Sequence, residues 1–392
     1  MTVAKVKQTS AGLIPSDWEV TTIGDEFDVS AGGDWDAANS SKFQDGDHPY
    51  PVVANALSRD AVQGYCRYFT IPGGALTITG RGDVGKAVYR PNPFVPIVRL
   101  VALVPKRGSS ARFFTAYINE RVNFSQESTG VPQLTAPQVR RYLIACPSTA
   151  EQHAIASVLA DIDQLIASLE RSITKKQAIK QGMMQQLLAG KTRLPGFTDR
   201  WLAARFEELA APALQRVDPQ GVPAGTRLVD LEHIDSGGGR LLASATASGA
   251  VSLKTVFQPG DVLFGKLRAY LRKYWLADVP GICSTEIWVL RSKPLAENRY
   301  VRYLVETDRF IEVASGGYGT HMPRSDWGTL RGLEFEVPPV DEQKAIATVL
   351  TEVDDEINGF SFRLAKTKAI KQGMMQELLT GRTRLPVEKG AA

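Results

Sequence analysis

Residues 147–195 align without a gap on residues 338–386, and 26 of the 49 paired positions are identical. Self-similarity on this scale marks one structural unit used twice. The run Ala178-Ile179-Lys180-Gln181-Gly182-Met183-Met184-Gln185 recurs unchanged at Ala369 to Gln376, and the copies end alike, as Thr192-Arg193-Leu194-Pro195 and Thr383-Arg384-Leu385-Pro386. Each copy reads as a long helix. Ser148 and Glu151 have capping-box spacing, and Asp341 is placed to cap the second copy. Apolar residues recur at Ile155, Leu159, Ile162, Ile166, Leu169 and Ile173, and again at Ile346, Leu350, Val353, Ile357, Phe360 and Leu364. Steps of four and three keep them on one helical stripe. Gly190 and Gly381, followed by Pro195 and Pro386, are stop signals. Roughly 40 residues at about 1.5 Å each give a helix on the order of 60 Å. Gly182 and Gly373 are the places where it would break, since each costs about 1 kcal/mol relative to Ala. Two such stripes are best covered by packing on each other as an antiparallel pair. The alternative is that each packs on its own globular neighbour.

The rest of the chain follows the same duplicated plan. Segments 1–146 and 196–337 are alike in length and only weakly alike in sequence. Anchors nevertheless match at the helix repeat's own offset: Thr129 with Thr320, Pro132 with Pro323, Arg140 with Arg331. Ile14-Pro15 leading to Asp17-Trp18 resembles Leu194-Pro195 leading to Asp199-Arg200-Trp201. The passage that should follow the second helix therefore stands at the chain's start, which implies a circular, pseudo-twofold order. Short β-like runs at Leu76 to Thr79, Ile97 to Val104, Val262 to Phe264 and Glu286 to Leu290, with short helices at Phe113 to Val122 and Arg299 to Phe310, predict a mixed α+β domain in each segment.

Composition excludes several classes. The 392 residues are 43% hydrophobic and 22% charged, as a folded protein requires, and the net charge of +4 is too small to announce nucleic acid without local clustering. Cys66, Cys146 and Cys283 lack zinc spacing and read as reduced thiols, and His48, His153, His233 and His321 are scattered, so no metal site is expected. No signal peptide or membrane-length apolar run is evident, which predicts a soluble, cytoplasmic protein.

Clustering appears in the loops. Residues 81–112 carry seven Lys or Arg against one acid, Asp83, and residues 263–275 carry four and no acid. Basic loops after a strand, interleaved with Tyr89, Tyr270 and Tyr274, suit phosphates and base edges, although an ordinary solvated hairpin has the same composition. The candidate DNA-binding residues are Arg81, Lys86, Arg90, Lys266, Arg268, Arg272 and Lys273. To these are added Gln133, His321 and Arg324 from the loops 128–133 and 315–324, the second of them Gly-rich, where close backbone approach and base-edge reading are feasible. Gly80-Arg81-Gly82-Asp83-Val84-Gly85-Lys86 imitates a nucleotide-binding loop. Both such motifs need a helix next, and Pro91 and Pro93 argue against one. Asn92-Pro93-Phe94 falls short of an adenine methyltransferase motif, and no catalytic cluster is apparent, so no catalytic residue is assigned.

Two unlike globular segments, each followed by a near-identical long helix, resemble the specificity subunit of type I restriction-modification systems. The residues carrying the resemblance are Pro147 with Glu151-Gln152, Pro338 with Glu342-Gln343, the stretches Lys180 to Leu188 and Lys371 to Leu379, and the passage Arg193 to Trp201. The resemblance implies a first target recognition domain at 1–146, a central helix at 147–195, a second recognition domain at 196–337, a C-terminal helix at 338–386 and a tail at 387–392. It implies an antiparallel coiled coil acting as a ruler between readers of two DNA half-sites. It also implies a non-catalytic chain without cofactors of its own. The expected partners are double-stranded DNA, two modification subunits bringing S-adenosylmethionine for adenine methylation, and two restriction subunits using ATP and Mg. The rival readings are a protein-binding coiled-coil scaffold and a single-chain DNA-modifying enzyme with an unrecognised site.

Overall fold

In the computed structural model, which describes residues 5–55, 61–124, 133–316 and 323–386, both repeat copies form continuous helices, Thr149–Leu187 and Val340–Leu378, of 39 residues each. Gly182 and Gly373 do not interrupt them; each is exposed, with open space where a Cβ would stand. The helices stop at Gly190 and Gly381, whose φ of 64° and 68° suit glycine and whose bare Cα atoms lie against Trp201 and Trp18. Ser148 caps the first helix through Oγ and the N–H of Glu151 (3.3 Å), whereas Asp341 lies within the first turn of the second and pairs with Lys344 (3.0 Å).

The chain divides into two compact units, Met1–Glu170 with Phe362–Ala392, and Arg171–Ser361. Each takes in part of both long helices. Within the first, Lys371 reaches Asp163 (2.6 Å) and Lys368 reaches Glu170 (2.8 Å). Within the second, Lys176 reaches Glu356 (2.5 Å) and Lys180 reaches Asp354 (2.8 Å). In each pair one number falls as the other rises, so the helices run antiparallel. Ile155, Leu159, Leu169, Ile346 and Leu350 are buried, and Ile162, Ile166, Val353, Ile357 and Phe360 are half-buried. The stripe does not serve the helix pair alone. Ile155 and Leu159 share a core with Phe27, Phe113 and Ile144 of the globular part as well as with Leu378 and Leu379, and Ile346 and Leu350 likewise share one with Phe206, Phe310, Met184 and Leu187.

The two globular parts repeat one scheme. In the first unit an antiparallel sheet has the order Phe27–Ala31, Leu100–Pro105, Ala75–Thr79, Ala87–Arg90; in the second the order is Ala210–Pro212, Ile287–Ser292, Val262–Gly265, Tyr274–Leu276. A strand before each long helix, Leu143–Cys146 or Glu334–Val337, pairs antiparallel with an early strand, Glu19–Thr22 or Leu202–Arg205. The helix Ala111–Arg121 is matched by Asn298–Glu306, which breaks at Thr307 before Asp308–Ser315 begins, where the sequence suggested one helix. The remaining sheets differ: Val95–Pro96, Tyr50–Val53, Val62–Cys66, Ser40–Ser41 in the first unit, and a five-stranded sheet built on Lys254–Phe257 and Gly281–Ser284 in the second.

The Glu-Gln pair opening each helix fastens that helix to the globular part of its own unit. Gln152 Nε2 donates to Pro147 O (3.0 Å) and its Oε1 accepts from Ser110 N (2.9 Å), the cap of the short helix; Gln343 does the same with Pro338 O (2.8 Å) and Glu297 N (2.9 Å). The glutamates are buried, and each meets an arginine from the tail of the other repeat. Arg384 Nε and Nη2 donate to Glu151 at 2.5 and 2.8 Å, and Arg193 Nε and Nη2 donate to Glu342 at 2.6 and 2.7 Å. Trp18 and Trp201 add an indole N–H to the same carboxylates, at 3.1 and 3.2 Å. Arg384 also binds Asp17 through both carboxylate oxygens and holds that carboxyl below its ordinary range.

Two outcomes follow. Arg384→Met should lower stability by about 3 kcal/mol or more, because it leaves a buried carboxylate without its cation; denaturant unfolding checks this, and a loss under 1 kcal/mol would contradict it. Gly182→Ala and Gly373→Ala should each stabilise by about 1 kcal/mol; an unchanged or lower melting temperature would contradict this.

Candidate nucleic-acid interface

The loop that imitates a nucleotide-binding motif is a hairpin. Ala75–Thr79 pairs antiparallel with Ala87–Arg90, so a strand follows Lys86 where a phosphate-binding loop requires a helix. The loop between them is pinned on three sides. Gly80 N donates to Arg99 O (2.8 Å), Leu134 N donates to Gly80 O (2.8 Å), and Arg81 bridges Gln133. Asn55 closes the set, with Oδ1 accepting from Gly80 N (2.8 Å) and Nδ2 donating to Arg81 O (2.7 Å). A Cβ on Gly80 would lie 2.6 Å from Arg99 O, which is why glycine stands there.

The second unit builds the same frame from other residues. Lys266 N donates to Glu286 O (3.0 Å), Ser325 N donates to Lys266 O (2.8 Å), and Leu267 bridges Arg324. The returning strands start alike: Thr79 N donates to Lys86 O (3.0 Å) and Gly265 N to Lys273 O (2.8 Å). Position by position, Arg81 therefore corresponds to Leu267, Arg99 to Glu286, Gln133 to Arg324, and Lys86 to Lys273. Arg99 and Glu286 escaped the sequence reading. The glycines that draw the eye, Gly80 and Gly265, are one place out of register, and only the bond pattern aligns the halves.

The candidate residues separate into those that face solvent and those that hold the fold. Lys86, Gln133 and Arg268 are exposed, and Arg81 and Lys266 are half-buried. Arg90 is buried, and its Nε donates to Thr77 Oγ1 (3.2 Å), so it braces the sheet. Lys273 spends its ammonium on Leu231 O (2.8 Å) and Ile234 O (2.7 Å). Arg272 adopts a left-handed φ of 51°, where the first unit has Gly85, and is tied to Glu306 O (3.0 Å) and to the carboxylate of Asp308. Arg268 is also left-handed, at 54°, with its N–H on Pro323 O (2.9 Å). Arg324 lies against Glu286, through Nε (3.0 Å) and Nη2 (3.3 Å). His321 lies outside the described residues.

The thiols are poor nucleophiles. Burial pushes Cys146 and Cys283 up to about 12, with Glu26 and Asp230 respectively adding to the effect, and it raises Cys66 as well. Among the described residues there is no cluster of three or more His, Cys, Asp or Glu able to hold a metal, and no helix is long and apolar enough to cross a membrane.

The profile of the family described as type I restriction modification DNA specificity domain matches residues 15–181 and 246–361. The chain belongs to the family of type I restriction-modification specificity subunits. The EcoDI specificity subunit of Escherichia coli is 21% identical over 95% of this chain and 90% of its own length. The MjaVIII specificity subunit of Methanocaldococcus jannaschii is 22% identical, covering 95% and 94%. The crystal structure of a type I S subunit from M. genitalium shares the fold, with a TM-score of 0.64 at 13% identity over 96% of this chain and 99% of that one.

For this specificity subunit, Lys273→Met should lower the melting temperature through the two carbonyls it abandons, whereas Lys86→Met, at the corresponding exposed place, should leave it within about 1 °C. Equal effects in a thermal melt would contradict the division into bracing and exposed lysines.

Proposed function

We propose that each globular part of this specificity subunit reads one half of a split, asymmetric DNA target and that the paired helices set the number of base pairs between the halves. The observation that carries this reading is the duplicated frame with unlike side chains. Arg81, Arg99 and Gln133 stand where Leu267, Glu286 and Arg324 stand, on backbones making the same hydrogen bonds. Two copies of one reader presenting different donors and acceptors suit two different half-sites. Exposed cations beside these positions, Lys86 in one unit and Arg268 in the other, suit phosphates.

The chain itself is non-catalytic in this proposal. Two modification subunits, bringing S-adenosylmethionine, methylate adenine after flipping it from the duplex, and two restriction subunits use ATP and Mg to translocate and cut DNA. What supports a pair of like partners is one stretch of the two helix copies, 178–185 and 369–376, which is identical at its exposed positions as well as its covered ones. Ala178, Ile179 and Gln181 are exposed, and so are their equivalents Ala369, Ile370 and Gln372. Internal packing does not require exposed residues to match, whereas two copies of one partner do.

The test is the methylation pattern of genomic DNA in cells carrying the whole complex. The wild type should methylate a split motif with a fixed gap. Inserting one helical turn, four residues, into both helices between 160 and 175 and between 351 and 366 should change the gap and leave both half-sites intact. An unchanged gap, or altered half-site bases, would refute the ruler.

A further inference from the structure

We propose that Arg324 and Gln133 are the equivalent base-reading residues of the two units, Arg324 taking a guanine in one half-site and Gln133 an adenine in the other, with Glu286 as the positioning residue for Arg324. This inference rests on the split-target reading above and adds which side chains read and what they read.

The argument begins with placement. Gln133 and Arg324 each sit directly opposite the residue that opens the hairpin loop, Arg81 or Leu267, across an antiparallel bridge. Residues opposed in this way project to the same side of the pairing. Both are exposed, and the following residues, Leu134 and Ser325, are buried and bonded to the loop through their backbone N–H. Each side chain is thus carried on a fixed backbone and directed to solvent, the combination a reading residue needs.

Chemistry then distinguishes the two. Glu286 takes Arg324 through Nε and Nη2, at 3.0 and 3.3 Å, the side-on arrangement. Of the five guanidinium donors this uses two and leaves the end-on edge, Nη1 and the second N–H of Nη2, pointing away from the carboxylate. That edge matches O6 and N7 of guanine, and a guanidinium already held by a carboxylate loses less freedom on binding. Arg324 is exposed (52%) and Glu286 half-buried (29%), so the pair is reached by solvent, its contribution to folding is small and positioning is the better account of it. In the first unit the place of Glu286 belongs to Arg99, which cannot accept a hydrogen bond. Gln133 there offers one acceptor and an amide donor, the pattern that pairs with N6 and N7 of adenine, while Arg81 and Arg99 line a cleft with Asn55, Gln63 and one acid, Asp83, and leave it a net positive charge for phosphates.

The experiment maps methylated motifs by long-read sequencing, using the whole complex with Arg324→Gln, Arg324→Lys, Glu286→Gln or Gln133→Arg in this chain. Arg324→Gln should relax or replace a guanine at one position of one half-site, with discrimination falling about ten- to a hundredfold, and leave the other half-site unchanged. Arg324→Lys keeps the charge and should lose most of that discrimination. Glu286→Gln should loosen the same position and no other. Gln133→Arg should alter an adenine in the opposite half-site alone. The inference is overturned if Arg324→Gln and Gln133→Arg complexes methylate the wild-type motif with unchanged stringency, if either alters both half-sites, or if Arg324→Lys is indistinguishable from wild type. A variant that melts like the wild type but methylates nothing supports the inference if a duplex with another base at the affected position restores activity, and refutes it if no base does. A wild-type motif that is not split would instead refute the two-reader proposal on which the inference stands.

Discussion

Two buried carboxylates, Glu151 and Glu342, organise this molecule. A carboxylate removed from water is costly unless a cation and hydrogen bonds replace its hydration. Here each is met by a bidentate arginine and an indole N–H, and neither partner comes from the glutamate's own repeat. Arg384 and Trp18 lie at opposite ends of the chain, and both must reach Glu151 for the first unit to close. The second unit needs Arg193, Trp201 and Glu342. The circular order seen in the sequence is therefore an energetic requirement. Removing either the segment that carries Trp18 or the one that carries Arg384 would leave Glu151 short of a partner, so both belong to the fold as firmly as its middle does.

The second principle is separation of frame from reader. The frame consists of backbone bonds: Gly80 or Lys266, after the central strand, to Arg99 or Glu286, before the next one, and Leu134 or Ser325 back to that same Gly80 or Lys266. Apart from Gly80, where a Cβ would meet Arg99 O, such bonds use no side chain, which leaves the side chains at those positions able to change without unfolding the unit. Arg99 against Glu286 and Gln133 against Arg324 are changes of charge that a packed core would not tolerate. At the helix ends the opposite holds. Glu, Gln, Arg and Trp repeat because their side chains carry the bonds themselves.

Much of this was legible in the sequence. The stripe from Ile155 to Leu169, the stop glycines, the match of Pro15-Asp17-Trp18 with Pro195-Asp199-Trp201 and the proline veto on a nucleotide-binding loop all rest on local rules of period, φ and donor loss, and local rules are what a sequence displays. What the sequence did not display has a shared cause. Glu151 has capping-box spacing, yet its carboxylate turns to Arg384, because a buried ion pair outweighs a cap exposed to water. Arg90, Arg272 and Lys273 entered the candidate set as cations of basic loops, and the partners the fold gives them, Thr77, Asp308, Leu231 and Ile234, are distant in sequence or not acidic. Charge counting sees a cation and cannot see a backbone carbonyl waiting for it.

Identical sequence in the two helix copies does not produce identical surroundings, and the difference is informative. Lys371 meets Asp163 at the surface of the first unit. Its twin Lys180 is buried in the second, against Asp354 and Glu306, with Arg302 bridging the same two acids and Tyr303 donating to Asp354. The Lys–Asp pair is common to both; Arg302, Glu306 and Tyr303 are additions from the second globular part, and they balance charge among themselves without altering the helix. A repeat kept nearly constant while its neighbours diverge must be held constant by something it always meets. Buried contacts cannot be that constraint at Ala178, Ile179, Gln181 and their twins, which face solvent. A partner that meets both copies, as proposed above, would supply such a constraint, whereas the loops proposed to read DNA would each answer to a different half-site.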